Sequence, residues 1–221
     1  MDGKRGSRYL FNGIVFYEIS DITSKEFSEA IEIYDKAFPL NEKHTCESIR
    51  EDVANGIYRL VVGDVNNEIV FMALFWPLKD TNFILFDYMA TKEGYRNRGI
   101  GSIFMENMFS ILDIGGKYLI LEVENPNYGE NRELKKRRID FYRRYGAKTM
   151  KDVNYILPPL SGGVSTEMVL MIMPEYGNGK IKGELVKNII KRIYKELSGR
   201  NEDDPYLNLF IHNIPDIVEL V

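Results

Sequence analysis

The sequence predicts one mixed α/β domain: a mostly antiparallel sheet with a central parallel strand pair, flanked by helices, plus a C-terminal helical extension. Three observations predict it. Short β-branched and aromatic runs alternate with helically spaced apolar residues along most of the 221 residues. Asn66-Asn67 joins two strand-like runs at hairpin distance, which makes them antiparallel. A strand, a helix and a strand follow one another between residues 83 and 124, which implies a parallel pair with a crossover helix.

The elements follow in order. Ile14–Ile19 is β-branched and aromatic, as a first strand should be. Thr23-Ser-Lys-Glu26 has the capping-box form, and Phe27, Ala30, Ile31, Tyr34 and Phe38 continue at helical spacing until Pro39 stops the helix. A second short helix covers 45–54 and ends at Asn55-Gly56. Strands are expected at 58–65, 69–76 and 83–90, a helix at 103–112 ended by Gly115-Gly116, and a strand at Tyr118–Glu124. A Pro/Gly/Asn loop over 125–130 leads into a helix over 132–145. A last pair of strands, Tyr155–Leu157 and 167–173, is separated by Pro158-Pro159 and Ser161-Gly162-Gly163. Residues 177–183 read as a connection between a domain at 1–176 and a helix and tail at 177–221. In that extension Ile181, Leu185, Ile189, Ile193 and Leu197 recur every fourth residue. Its apolar face either covers its own sheet or makes a homodimer.

Composition narrows the function. With 44% hydrophobic and 28% charged residues a packed core is expected, and the net charge of −4 argues against nucleic-acid binding. Cys46 is the only cysteine and His44 and His212 the only histidines, so no intrachain disulfide and no metal site is expected. The N-terminus lacks the apolar stretch of a signal peptide, and no run reaches the ~20 residues that span a bilayer. A cytoplasmic protein without a membrane partner is the expectation.

The stretch that carries chemistry is Arg96-Asn-Arg-Gly-Ile-Gly101, between a strand and a helix. Glycines let the backbone approach a ligand, the unpaired amides of a helix start attract anions, and Arg96 and Arg98 add forked donors. It is neither a Walker loop nor a dinucleotide fingerprint, since Phe104 stands where the latter needs glycine. A pyrophosphate-bearing ligand suits it.

Arg96-x-x-Gly99-x-Gly101 resembles the R/Q-x-x-G-x-G/A motif of the GNAT N-acetyltransferase superfamily. A second segment, residues 139–147 (IDFYRRYGA), resembles the family's later helix, with Tyr142 four residues before Gly146. The order of elements agrees from about residue 14 to 173. Lys135 and Arg138 stand where the family often has Asn and Ala, and Ala147 where it ends in Phe. The resemblance implies the GNAT fold and a direct transfer of the acetyl group from acetyl-CoA to a primary amine of a small molecule or peptide. It places the cofactor phosphates at Arg96, Asn97, Arg98, Gly99, Ile100, Gly101 and Ser102, and pantetheine at Met89, Ala90 and Thr91. Tyr142 would face the departing sulfur. With a phenol pKa of ~10 against ~8.5 for a thiol, full proton transfer is uphill by ~2 kcal/mol, so a hydrogen-bond donor is the better description.

No base carries over, because the matching position is Leu85. Glu122 and Glu124 share one strand face by alternation, and Glu124, nearer the strand end, is the expected base; Asp87 is another candidate. The basic helix over 132–144 reads first as a solvated face. The rival readings are a catalytically silent module that binds CoA or a protein partner, and a nucleotide enzyme using the same loop for ATP or NAD.

Overall fold

The computed structural model describes residues 7–160 and 163–221. Residues 1–6 and Ser161-Gly162 of the expected turn lie outside the described residues. The chain divides into two compact units, the first holding Met1–Pro39, His44–Pro77 and Phe86–Gly116, the second Leu40–Lys43, Leu78–Leu85 and Lys117–Val221.

The first unit opens with a hairpin, β1 (Tyr9–Phe11) and β2 (Ile14–Ile19). Its turn, Asn12-Gly13, has positive φ at both residues (48° and 81°), as a two-residue hairpin of matching twist requires. Helix α1 (Lys25–Ala37) is capped by Ser24, whose side chain accepts from the Phe27 N–H at 3.1 Å. The cap therefore sits one residue later than the capping box implies, because Asp21 binds both the amide and the hydroxyl of Thr23 (2.9 and 2.6 Å). Thr45, expected as the first residue of the second helix, is the N-cap of α2 (Cys46–Ala54). Strands β3 (Arg59–Val65) and β4 (Glu68–Pro77) form the expected antiparallel hairpin about Asn66-Asn67. They are followed by β5 (Phe83–Thr91) and by α3 (Ile100–Leu112). Phe104 of α3 packs against Phe71 and Phe16 at centroid distances of 4.7 and 5.6 Å, all three fully buried. This aromatic contact fixes α3, and with it the loop that precedes it.

The second unit is organised around β9 (Thr166–Met173), which pairs antiparallel with β6 (Tyr118–Glu124), β7 (Lys148–Thr149) and β8 (Tyr155–Leu157). Helix α4 (Arg132–Arg144) joins β6 to β7. The stretch expected as a plain connection contains β10 (Lys180–Lys182), which pairs with β11 (Ile217–Glu219) beyond α5 (Gly183–Ser198) and α6 (Pro205–Asn208). A three-residue strand shows no period of its own and exists only through its distant partner. The apolar face of α5 is consumed within the chain: Val186, Ile190 and Tyr194 are fully buried, and Tyr194 meets Tyr155 and Phe210 at 6.1 and 6.3 Å.

The main sheet has the order β1-β2-β3-β4-β5-β6-β9-β7, with β8 beside β9. The pairs β1–β2, β2–β3, β3–β4, β6–β9 and β9–β7 are antiparallel, and β5 and β6 are the parallel pair expected from the strand–helix–strand succession. Among the described residues no helix is long and apolar enough to cross a membrane.

Candidate active site

In the first unit the β5–α3 junction has the form an anion site needs. Gly99 is the N-cap of α3 at φ 78° and ψ 5°, in the left-handed region that favours glycine, and a Cβ built there would meet nothing within 4 Å. Glycine therefore serves conformation and access here, not packing. The helix ladder begins with the Ile103 N–H on the Gly99 carbonyl at 2.9 Å, so the amides of Ile100, Gly101 and Ser102 have no acceptor within the helix. Arg96, Asn97, Arg98 and Gly99 are exposed in front of them. The loop is braced from below. Arg96 Nε donates to the Thr91 carbonyl at 3.2 Å, and the Arg98 guanidinium lies 4.8 Å from the Tyr95 ring centre. The Tyr95 hydroxyl in turn donates to Glu68 at 2.6 Å, and Lys92 pairs with the same carboxylate at 2.7 Å. These contacts hold both arginine stems while leaving guanidinium N–H groups for a ligand.

Met89, Ala90 and Thr91 are the last three residues of β5. Asp87 accepts a hydrogen bond from the Tyr58 hydroxyl, and the Tyr88 ring meets Tyr34 and Phe38 edge-on at 4.9 and 4.8 Å. The Tyr58 hydroxyl is held far above its ordinary range by burial and by both Asp87 and Tyr88.

In the second unit Glu124 ends β6 and is claimed by α4: Arg138 donates to it, and Lys135 Nζ lies 3.7 Å away. Lys135 and Arg138 are two of the three positions noted above at which the sequence departs from the motif it resembles, and both face this carboxylate. Glu42 lies close by, its carboxyl raised by burial and by the Glu124 charge, and it accepts from the Thr166 hydroxyl at 3.4 Å. Tyr142, one turn beyond Arg138, packs edge-on against Phe141 at 5.4 Å. It keeps some exposed surface, but its crowded surroundings push the hydroxyl up to about 12, with Arg138 pulling the other way.

Glu122 differs from Glu124. Its Oε1 has no solvent-accessible surface and accepts no hydrogen bond among the described residues. Burial raises the carboxyl to about 7, against the opposing pull of the Tyr155 hydroxyl. Period-two alternation places both glutamates on one face. It does not say which of them the cations of a later helix will take.

Thr45 between His44 and Cys46 starts α2, burial lowers the His44 imidazole, and the described residues contain no cluster of three metal-ligating side chains. Trp76 is buried edge-on to Tyr58 at 4.8 Å.

Solved structures share this fold. A GNAT-family protein from Bacteroides thetaiotaomicron is 23% identical, with a TM-score of 0.71 over 84% of this chain and 99% of its own. The ribosomal-protein-S18-alanine N-acetyltransferase from Escherichia coli is 16% identical, with a TM-score of 0.53 over 75% and 97%. An acetyltransferase structure from Salmonella typhimurium, solved with its cofactor acetyl-CoA, is 12% identical with a TM-score of 0.51 over 74% and 96%. No curated protein sequence matches the chain. The profile of the acetyltransferase (GNAT) family matches residues 18–147, more than half of the length and inclusive of both quoted motifs, and the chain belongs to that family.

Proposed function

We propose that the chain is an acetyl-CoA-dependent N-acetyltransferase that moves the acetyl group directly to a primary amine of a small molecule or peptide. The observation that carries this reading is the β5–α3 junction: a left-handed Gly99, three outward amides and two arginines fit a diphosphate. Bound acetyl-CoA supplies an activated thioester. The amides of Ile100, Gly101 and Ser102 would hold its phosphates with Arg96 and Arg98 beside them, and the edge of Met89, Ala90 and Thr91 would pair with pantetheine and polarise the acetyl carbonyl.

Net transfer makes a C–N bond, breaks a C–S bond, removes one proton from the amine and returns one to sulfur. We give the first proton to Glu122 rather than Glu124, relayed by water because the Glu122 Oε1 is itself closed to solvent. A base is most effective with a pKa near the working pH, and Glu124 is already engaged by two cations. Tyr142 serves the sulfur. With its hydroxyl at about 12 and a thiol at ~8.5, complete transfer is uphill by about 5 kcal/mol, so it donates a hydrogen bond to the developing thiolate. Tyr142→Phe should lower kcat about 10–100-fold, the worth of one hydrogen bond to a charged group, while leaving the KM for acetyl-CoA unchanged. Release of free thiol from acetyl-CoA with a panel of amines and peptides measures this, and an unchanged kcat removes Tyr142 from the mechanism.

The loop has its own test. Gly99→Val forces a branched residue into a left-handed conformation and sets it in the ligand's path, at a cost of about 1–3 kcal/mol. It should weaken acetyl-CoA binding at least tenfold in calorimetry while the far-UV spectrum stays native. Unaltered affinity in the folded variant sinks the cradle. ATP or NAD binding in place of acetyl-CoA, or CoA binding without turnover of any amine, selects one of the two rival readings.

A further inference from the structure

A cleft of ≈ 450 Å³ lies in the second unit on a different flank of α4 from Tyr142. Arg132, Lys136 and Arg143 line it from successive turns of the helix, and Lys151 faces them from the segment after β7. In a chain of net charge −4 this is a local excess of positive charge, four cations against Asp140 and Asp152. Two of the four are already used: Arg143 donates to Thr149 Oγ1 at 3.0 Å and lies 3.9 Å from Asp140, and Lys151 pairs with Glu219 at 2.9 Å. The side chains of Arg132 and Lys136 make no ion pair or hydrogen bond among the described residues. They stand one turn apart on the helix and present two unneutralised charges to the same cleft.

Below the charges the lining is apolar, with Ile139, Met150, Val153 and Val169. Asn125, Asn127 and Asn154 add amides able both to donate and to accept. We propose that this cleft binds an acidic peptide segment of a protein partner. Its carboxylates would meet Arg132 and Lys136, an aliphatic side chain would enter the apolar lining, and the asparagines would hold peptide backbone. RNA is disfavoured by the same residues. Single-stranded nucleic acid needs aromatic platforms for its bases, and no aromatic residue lines the cleft. Nothing in this proposal depends on acetyl transfer.

The test is fluorescence anisotropy on the full chain with a labelled peptide of alternating glutamate and leucine. The same peptide with glutamine for glutamate and a single-stranded RNA of equal length are the comparisons. The acidic peptide should bind, weaken as salt is raised, and lose about tenfold in affinity to the double variant Arg132→Glu/Lys136→Glu. Thiol release from acetyl-CoA with a small amine should be unchanged in that variant. If the charge reversal does not fold, Arg132→Gln/Lys136→Gln carries the same expectation with a smaller loss. Equal binding of the glutamine peptide, tighter binding of RNA, or a variant that binds the acidic peptide as well as the wild type overturns the proposal.

Discussion

Glu122→Gln is expected to lower kcat/KM about 10²–10⁴-fold, the range that loss of a positioned general base produces. The pH profile gives the sharper evidence. A carboxyl at about 7 is half ionised at neutrality and almost fully ionised one pH unit higher, so wild-type kcat/KM should rise through pH 7. That limb should vanish in Glu122→Gln, whereas Glu124→Gln should keep it. Glu122→Asp shortens the reach but retains the charge, and should restore part of the rate with the limb intact. A flat wild-type profile between pH 6 and 8, or a limb that survives in Glu122→Gln, excludes Glu122 as the base.

The same substitution should stabilise the protein, which separates a catalytic role from a packing role. The Glu122 carboxyl rises from the ordinary 4.5 to about 7 on folding because burial disfavours its charged form. A raised folded value means that its stabilising contribution is complete below pH 4.5 and is lost as pH rises to 7. Above that the native state carries the full cost of a buried charge, up to about 3 kcal/mol. Glutamine never carries the charge, so the variant should melt several degrees higher at pH 8 and with the wild type at pH 4.5. Lower activity with higher stability is the signature of a group retained for chemistry. A variant less stable at pH 8 would mark Glu122 as a packing residue.

Much of the frame was legible because strands and helices long enough to show a period reveal themselves locally. Tyr118–Glu124 and Tyr155–Leu157 coincide with the expected strands, and α2 (Cys46–Ala54) lies within the expected 45–54. The Gly99-Ile-Gly101 loop was legible for a related reason: the strand before it and the helix after it both show a period. What escaped was set at a distance. β7, β10 and β11 have two or three residues each and exist through their partners. β1 was readable and missed, since Asn12-Gly13 between YLF and IVF is a strong hairpin signal. Which of Glu122 and Glu124 is taken by cations is likewise set at a distance. It depends on where Lys135 and Arg138 of a later helix place their charges, and no spacing within β6 encodes that.

Gly183→Ala is expected to destabilise the protein by about 2–4 kcal/mol, lowering Tm by about 5–15 °C. A Cβ on Gly183 would lie 1.8 Å from the Pro215 carbonyl oxygen and 2.9 Å from its carbon, well inside contact distance. Both partners are backbone, so no rotamer relieves the clash. Moving apart also costs the hydrogen bond from the Gly183 N–H to the Asp216 carbonyl, now 2.7 Å. Helix α5 is held by Val186, Ile190 and Tyr194, all fully buried, so the tail is the side that yields. Its yielding breaks the β10–β11 register (Lys180↔Glu219, Ile181↔Val218, Lys182↔Ile217) and the paired bonds of Thr149 with Val221 at 2.8 and 3.0 Å. Amide exchange should therefore accelerate first at residues 217–221. Gly115→Ala is the control, since a Cβ there meets nothing within 4 Å and its effect should stay within about 0.5 kcal/mol. Equal melting of the two variants would show that the tail absorbs the clash without cost. Because Val221 also lines the basic cleft, loss of the tail should weaken acidic-peptide binding although no charge has been touched.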